Sequence, residues 1–309
     1  MIATFVIFLR EGVEASMIVA ILLAYLDQTG QRRHFRDVFA GVAAAAVLMV
    51  VGGIAAYLLV SQYAGSTVQT VFETITYLVA VAVLTYMTFW MQSHGRTLGT
   101  ELRSRSEEAL AGRTRFGLGA LSFQAVGREG LETVVFTLAI VFASAKQAPV
   151  GSRVVHGLPG GLLLLGAVLG LVVSLAIAVA IYRLGRRLNM ALFFRIVGVA
   201  LMVVAAGLLA DAVENMQQLG WLPFGTHALW DTSRLMSEDS SIGDLFHVMV
   251  GYAERPTLLQ GVAWIAYVGG AVTAFVTMGR RSRRQGATVG GGSVRLAGPP
   301  RQPEASAPH

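Results

Sequence analysis

Hydrophobic residues fill this chain in seven long blocks, at roughly 2–26, 38–60, 69–91, 117–143, 158–182, 191–213 and 258–278. None shows the strict alternation of a half-buried strand, and each is apolar over most of its circumference. A helix of about 20 such residues crosses the hydrocarbon core of a bilayer. The pattern therefore predicts an all-α polytopic membrane protein with seven transmembrane helices. Small residues suit close helix packing, as in Gly166-x-x-x-Gly170 and the Ala-rich run 43–46.

The polar stretches between the blocks alternate in charge. Arg32, Arg33 and Arg36 follow the first block. Arg96, Arg103, Arg105, Arg113 and Arg115 follow the third, Arg183, Arg186 and Arg187 the fifth, and Arg280, Arg281, Arg283 and Arg284 the seventh. The stretch 61–68 has no basic residue, and 144–157 has only Lys146 and Arg153. The long stretch 212–257 has Arg234 and Arg255 against Glu214, Asp231, Glu238, Asp239, Asp244 and Glu254. The positive-inside rule then places the N-terminus outside and the C-terminus in the cytoplasm. The expected organisation is a seven-helix transmembrane domain over 1–279, with 212–257 as a long extracytoplasmic loop, and a disordered basic cytoplasmic tail over 280–309. Within the loop, Ser241 to Tyr252 reads as a short capped helix lying on the membrane surface through Leu245, Phe246, Val248 and Met249.

Composition agrees and removes several function classes. Of 309 residues 54% are hydrophobic and 14% charged, far from soluble usage. The net charge of +6 lies in short inter-block clusters, which reads as topology and excludes a nucleic-acid surface. Cysteine is absent, so neither a disulfide framework nor a thiolate metal site is available. Lys146 is followed by Gln147, so there is no Walker-type phosphate loop. The N-terminal block lacks a basic leader region and carries charge mid-span, which reads as a retained helix.

Two blocks break the apolar pattern in the same way. Arg10-Glu11-Gly12-Val13-Glu14 lies in the middle of the first, and Arg128-Glu129-Gly130-Leu131-Glu132 in the middle of the fourth, 118 positions later. Phe5 aligns with Phe123 at the same offset. The first and fourth helices run in opposite senses across the membrane, so the motif predicts an inverted repeat of helices 1–3 and 4–6, with a seventh helix added.

One charge at the bilayer centre costs about 2.5–3.5 kcal/mol on insertion scales. Arg10 with Glu14 and Arg128 with Glu132 are spaced i,i+4 for internal pairing. Four carboxylates against two guanidiniums still leave a net charge of −2, which a cation or protons must balance. An inverted pair of helices would bring Glu11, Glu14, Glu129 and Glu132 to one midplane site, with Gly12 and Gly130 permitting close approach. No histidine is mid-span in the predicted helices: His34 and His94 flank cytoplasmic loops, His156, His227 and His247 lie outside, and His309 is terminal. The donors are carboxylate oxygens, which suit ferric iron, calcium, magnesium or manganese and disfavour copper and zinc. A membrane-embedded metal-dependent hydrolase would need a zinc motif or an activated nucleophile, and neither is present; the reading is a transporter and not an enzyme.

The two pentads resemble the Arg-Glu-Gly-Leu-Glu motifs of the high-affinity iron permease family, which includes fungal ferric permeases and bacterial EfeU-type permeases. The second copy matches in full, and the first departs only at Val13. The resemblance spans about residues 1–280 and implies a seven-helix iron uptake permease of the cell membrane. It implies Glu11, Glu14, Glu129 and Glu132 as ligands of iron in transit, as Fe3+ or Fe2+, with Arg10 and Arg128 as their supporting partners and no permanently bound cofactor. The segment Leu229-Trp230-Asp231-Thr232-Ser233 and the stretch Gly243 to Gln260 are similar to the bacterial branch. That likeness implies an extracytoplasmic iron-binding protein and an iron-oxidising or haem peroxidase partner. Manganese or lead on the same scaffold is the alternative cargo. Three further acids stand near the outer helix ends. Glu73 is either a way-station for the ion or a glutamate favoured by the helix dipole. Asp211 and Glu214, spaced i,i+3, form either an entry pair or a solvated face.

Overall fold

The computed structural model describes residues 1–94, 104, 117–145, 159–184, 190–232, 246–247 and 250–291. Seven long α-helices account for most of them: α1 (Ile2–Gln28), α2 (Phe35–Ser61), α3 (Thr67–His94), α4 (Gly117–Ala145), α5 (Pro159–Leu184), α6 (Met190–Gln218) and α7 (Leu258–Gly291). Among the described residues the only β pairing is an isolated bridge between Ala228 and Thr257. Each helix coincides with a predicted apolar block. The chain divides into a compact unit, Met1–Val272, and a second, Thr273–His309.

Among the described residues five helical stretches are long and apolar enough to cross a membrane by length and composition: Arg32–Ser61, which includes α2, and stretches of α3, α5, α6 and α7. The other two are α1 and α4. At 27 and 29 residues each spans about 40 Å, ample for a bilayer. They fall short in composition because every membrane-length window of either helix contains at least three charged residues: the whole pentad, or in the last window of α1 Glu11, Glu14 and Asp27. The charges that set these helices apart are therefore those of the motif.

Two helix ends differ from expectation. α6 continues past 213 to Gln218, so Glu214 lies within the helix together with Asp211 and not in the loop beyond it. Ala212, Val213, Met216 and Gln217 sustain the helix, and Gly220 at φ 74° ends it. There the Trp221 amide donates to the Met216 carbonyl and the Gly220 amide to the Gln217 carbonyl, a Schellman closure. α7 continues past 278 to Gly291, into the segment expected to be disordered, because its Arg-rich run consists of good helix formers. Residues 292–309, the basic residues at 96–115 and 186–187, and most of the predicted helix Ser241–Tyr252 lie outside the described residues.

The first unit is inside-out relative to a soluble protein. Val47, Leu48, Val51, Ile54 and Leu58 of α2 and Leu164, Val168, Leu171, Val172 and Leu175 of α5 are exposed, while Arg10, Glu11, Glu14, Glu129 and Glu132 belong to helices packed inside. An apolar exterior around buried charge is what a hydrocarbon solvent selects.

Helix pairing carries a hidden regularity. α1 packs most extensively on α5, α2 on α4, and α3 on α6. A Cβ on Gly166 would strike the Met1 carbonyl, one on Gly170 would come within 2.6 Å of the Phe5 carbonyl, and one on Gly12 would strike Ser174 Oγ. α1 and α5 therefore run parallel in close contact. In the other pair, a Cβ on Gly41 would strike the Gly119 carbonyl, and one on Gly130 would come within 2.7 Å of Met49 Cγ. Gly119 and Gly130 follow Met1 and Gly12 by 118 residues, and Gly166 and Ser174 follow Gly41 and Met49 by 125. The same contacts thus recur between equivalent positions.

Two apolar clusters bracket the pentads. One contains Ile7 of α1, Tyr77 and Leu84 of α3, Phe136 and Ile140 of α4, and Leu201 and Leu208 of α6. The other contains Ile18, Leu22 and Leu26 of α1, Val38 of α2 and Leu118 of α4. α1 passes from the first cluster to the second, and α4 from the second to the first, so they are antiparallel. Arg10–Glu14 and Arg128–Glu132 fall between the clusters on both helices, as one polar layer.

Candidate metal centre

Within α1, Glu11 and Glu14 stand one turn apart on one face, with Arg10 beside them. Arg10 is 2% exposed. Its Nη1 donates to Glu11 Oε1 at 2.6 Å, and its Nε lies 3.2 Å from Glu14 Oε1. The second contact is an ion pair without hydrogen-bond geometry, since Glu14 Oε1 has no hydrogen-bond donor. The i,i+4 pairing expected from spacing is present, and the adjacent pair Arg10–Glu11 is an addition that spacing did not reveal.

The second pentad is arranged differently. Arg128 Nε donates to Glu132 Oε1 at 3.3 Å, again i,i+4. The Arg128 side chain is 47% exposed; its Nη2 points to Met87 Sδ at 3.1 Å and its guanidinium lies 5.1 Å from the centre of the Trp90 ring. No ion pair joins Arg128 to Glu129.

Glu129 turns instead toward the first pentad. Carboxylate oxygens of Glu11, Glu14 and Glu129 all lie within 4.8 Å of one another, and all three residues are buried. Of the four glutamates singled out in the sequence, three converge and Glu132 stays with Arg128 at the edge of the group. Arg10 interacts electrostatically with all four. Glu11 Oε2, Glu129 Oε2 and Glu132 Oε2 are buried without hydrogen-bond partners, as is Arg10 Nη2. Buried carboxylate oxygens left so incur a desolvation penalty that a cation among them would offset. Three oxygen donors and no nitrogen or sulfur make a site for a hard or borderline cation.

The close packing of the two helices depends on the glycines. Gly12 meets Ser174 of α5 and Gly130 meets Met49 of α2, so each pentad presses its uncovered backbone on a helix of the other half and turns its carboxylates inward.

The remaining acids gather at the far side of the first apolar cluster. Glu73 is buried and accepts from Gln69 Nε2 at 2.6 Å. Asp211 is buried beside His247. Glu214 accepts from Gln218 at 2.9 Å and from Gln260 at 3.5 Å. Tyr77 lies within electrostatic reach of all three. They share one end of the helix bundle without converging as the pentad glutamates do. His247 escaped sequence reasoning, which left it in an outer loop. The segment folds inward where Gly251, at φ 72°, closely approaches Gly207 of α6, since only a glycine pair lets two backbones meet so closely, and no local sequence feature announces that contact.

Comparison with known proteins matches the model of the Iron permease FTR1 family to residues 1–281. A Yersinia pestis protein described as "Ferrous iron permease EfeU" is 36% identical over 278 residues, covering 89% of this chain and 93% of its own length. An Escherichia coli O6:K15:H31 protein of the same description is 34% identical, covering 89% and 95%. One from Shigella sonnei is 34% identical over 277 residues. No solved structure matches.

Proposed function

The chain belongs to the Iron permease FTR1 family, and from that premise we propose that it takes up iron through the layer of glutamates contributed by its two Arg-Glu-Gly-x-Glu pentads. It is a multi-pass protein of the cell membrane and a transporter rather than an enzyme. Glu11, Glu14 and Glu129 are the central ligands, and Glu132 joins them when its pair with Arg128 loosens. Arg10 holds the α1 carboxylates in register.

The observation that carries this reading is the convergence of three buried carboxylates, from two antiparallel helices, with oxygens to spare. The net charge of −2 over the two pentads favours Fe2+ as the ion in transit, since a divalent cation brings the layer to neutrality in a low-dielectric setting. The relatives described as ferrous iron permeases agree with this choice. The oxygen-only donor set also suits manganese, so competition of Mn2+ with iron uptake measures how far the site discriminates.

Seven membrane spans, with the N-terminus outside and the C-terminus cytoplasmic, form the frame. The alternating basic clusters support the orientation. The recurrent contacts Met1–Gly166 and Gly119–Gly41, and Gly12–Ser174 and Gly130–Met49, support an inverted repeat of α1–α3 and α4–α6. In this frame Glu73, Asp211 and Glu214 lie at the outer end and lead the ion inward, while the loop beyond α6, 219–257, faces an extracytoplasmic iron-binding protein and an iron-oxidising or haem peroxidase partner. The domain reading remains 1–279 as permease and 280–309 as a basic cytoplasmic tail, with its first turns helical. Uptake of radio-iron by cells expressing this permease alone tests the function: Glu14→Gln and Glu129→Gln abolish it at unchanged membrane abundance. Normal uptake by both variants would remove the pentads from the path.

A further inference from the structure

The segment leading into α7 dips into the helix bundle beside the end of α6. Gly251 lies against Gly207, one turn inward of Asp211. Trp264 Nε1 donates to the Val250 carbonyl at 2.7 Å, and Thr232 Oγ1 contacts the Tyr252 hydroxyl at 2.6 Å and the Glu254 carbonyl at 3.2 Å. These contacts hold His247, which is buried, with Nε2 3.4 Å from Asp211 Oδ1.

The ring's other nitrogen defines its proton. His247 Nδ1 lies 2.7 Å from the Tyr252 carbonyl oxygen, which can only accept, so Nδ1 carries hydrogen. In the neutral ring Nε2 then presents a lone pair to a carboxylate, an arrangement that a shared cation turns from repulsion to attraction. A metal-bound histidine characteristically donates its second ring N–H to a carbonyl or carboxylate in this way. A 3.4 Å gap between nitrogen and oxygen is also the edge that ~2.1 Å bonds to one tetrahedral ion would give. Asn215 stands one turn along α6 on the face of Asp211. It is fully buried, and neither its Oδ1 nor its Nδ2 has a hydrogen-bond partner, so an amide oxygen is available as a third donor.

We propose that Asp211, His247 and Asn215 form a second cation site, with a mixed nitrogen and oxygen donor set, that takes a first-row divalent ion such as Fe2+ in preference to Mg2+ or Ca2+. Its place at the end of α6 makes it a selection point ahead of the oxygen-only layer; this role rests on the reading of the chain as an iron permease, while the site itself does not. The imidazole supplies the preference, because nitrogen donors suit iron and later metals whereas carboxylates alone serve magnesium, calcium and manganese.

Detergent-solubilised full chain with 15N-labelled histidine, titrated with cobalt(II) chloride, tests the site through six histidines. One histidine resonance should show a large paramagnetic shift at stoichiometric Co2+, and His247→Gln should remove it and weaken Co2+ binding at that site by at least about tenfold. His247→Asp should restore binding with preference moved toward Mn2+, which guards against mere misfolding of the glutamine variant. No shifted histidine in the wild type, or the same shift in His247→Gln, overturns the proposal. The variant Glu11→Gln/Glu14→Gln/Glu129→Gln should keep the histidine shift while losing one equivalent of Co2+. If it keeps both equivalents, the pentad reading fails and the histidine site stands.

Discussion

The two pentads differ by one side chain in sequence and by much more in surroundings. Arg10 is sealed inside and engages both glutamates of its own motif. Arg128 is half exposed, engages only Glu132, and leans on Met87 and Trp90 of α3. Glu129, left without an arginine of its own, is the carboxylate that joins Glu11 and Glu14. A near-identical code thus yields one anchored half and one open half. An arrangement with both arginines buried and doubly paired would leave less unneutralised charge for a cation; the asymmetry leaves Glu129 available and keeps Glu132 on a looser tether.

Breaking this contrast should have graded effects. The largest should come from Glu129→Gln, which removes the carboxylate that joins the two pentads. Iron uptake should fall by at least about 100-fold, since loss of one partner from a buried charge group costs about 3–5 kcal/mol. Next, Arg10→Gln should be much worse than Arg128→Gln. The first leaves two buried carboxylates uncompensated and should reduce both folded protein in detergent and uptake. The second removes a partly solvated pair, of the kind that contributes little, and uptake should stay within about tenfold of wild type. Equal losses in the two would show that the halves are equivalent after all.

A smaller difference should separate the glycines. In Gly12→Ala the new methyl meets Ser174 at both Oγ and Cβ, whereas in Gly130→Ala it meets the flexible Met49 side chain. Gly12→Ala should therefore lower thermal stability in detergent more than Gly130→Ala, and Ser174→Gly should restore it. Smallest of all, Trp90→Leu removes a cation–π contact worth about 0.5–1 kcal/mol. It should alter iron uptake by about two- to fivefold, and should have no effect in an Arg128→Gln background.

The pentads, their mid-span depth and the helices that carry them were legible from residue pattern alone, because charge inside a long apolar block is costly enough to be conspicuous. The asymmetry between Arg10 and Arg128 was not, since it depends on Met87 and Trp90 arriving from α3, a third element. The pairing of α2 with α4 and α5 with α1 was likewise hidden. Those helices repeat at an offset of 125 rather than 118 and share no motif, so only the contacts at Gly41, Met49, Gly166 and Ser174 reveal it. Gly166 and Gly170 were read as small residues for close packing, and both do lie against α1. The last turn of α6 was missed because apolar pattern fades where Glu214, Asn215, Gln217 and Gln218 continue the helix. His247 was missed because nothing local in a polar loop announces that its backbone passes beside Gly207.

The central claim is that both pentads serve one cation. A double-mutant cycle on Fe2+ binding, measured anaerobically on purified full chain, tests it most directly, with Glu14→Gln, Glu129→Gln and the pair together. A shared site predicts strong non-additivity: either single variant loses the central equivalent of iron, and the double variant binds no less than the singles. Additive losses, or a separate equivalent of iron lost with each single variant, would mean that each pentad binds on its own.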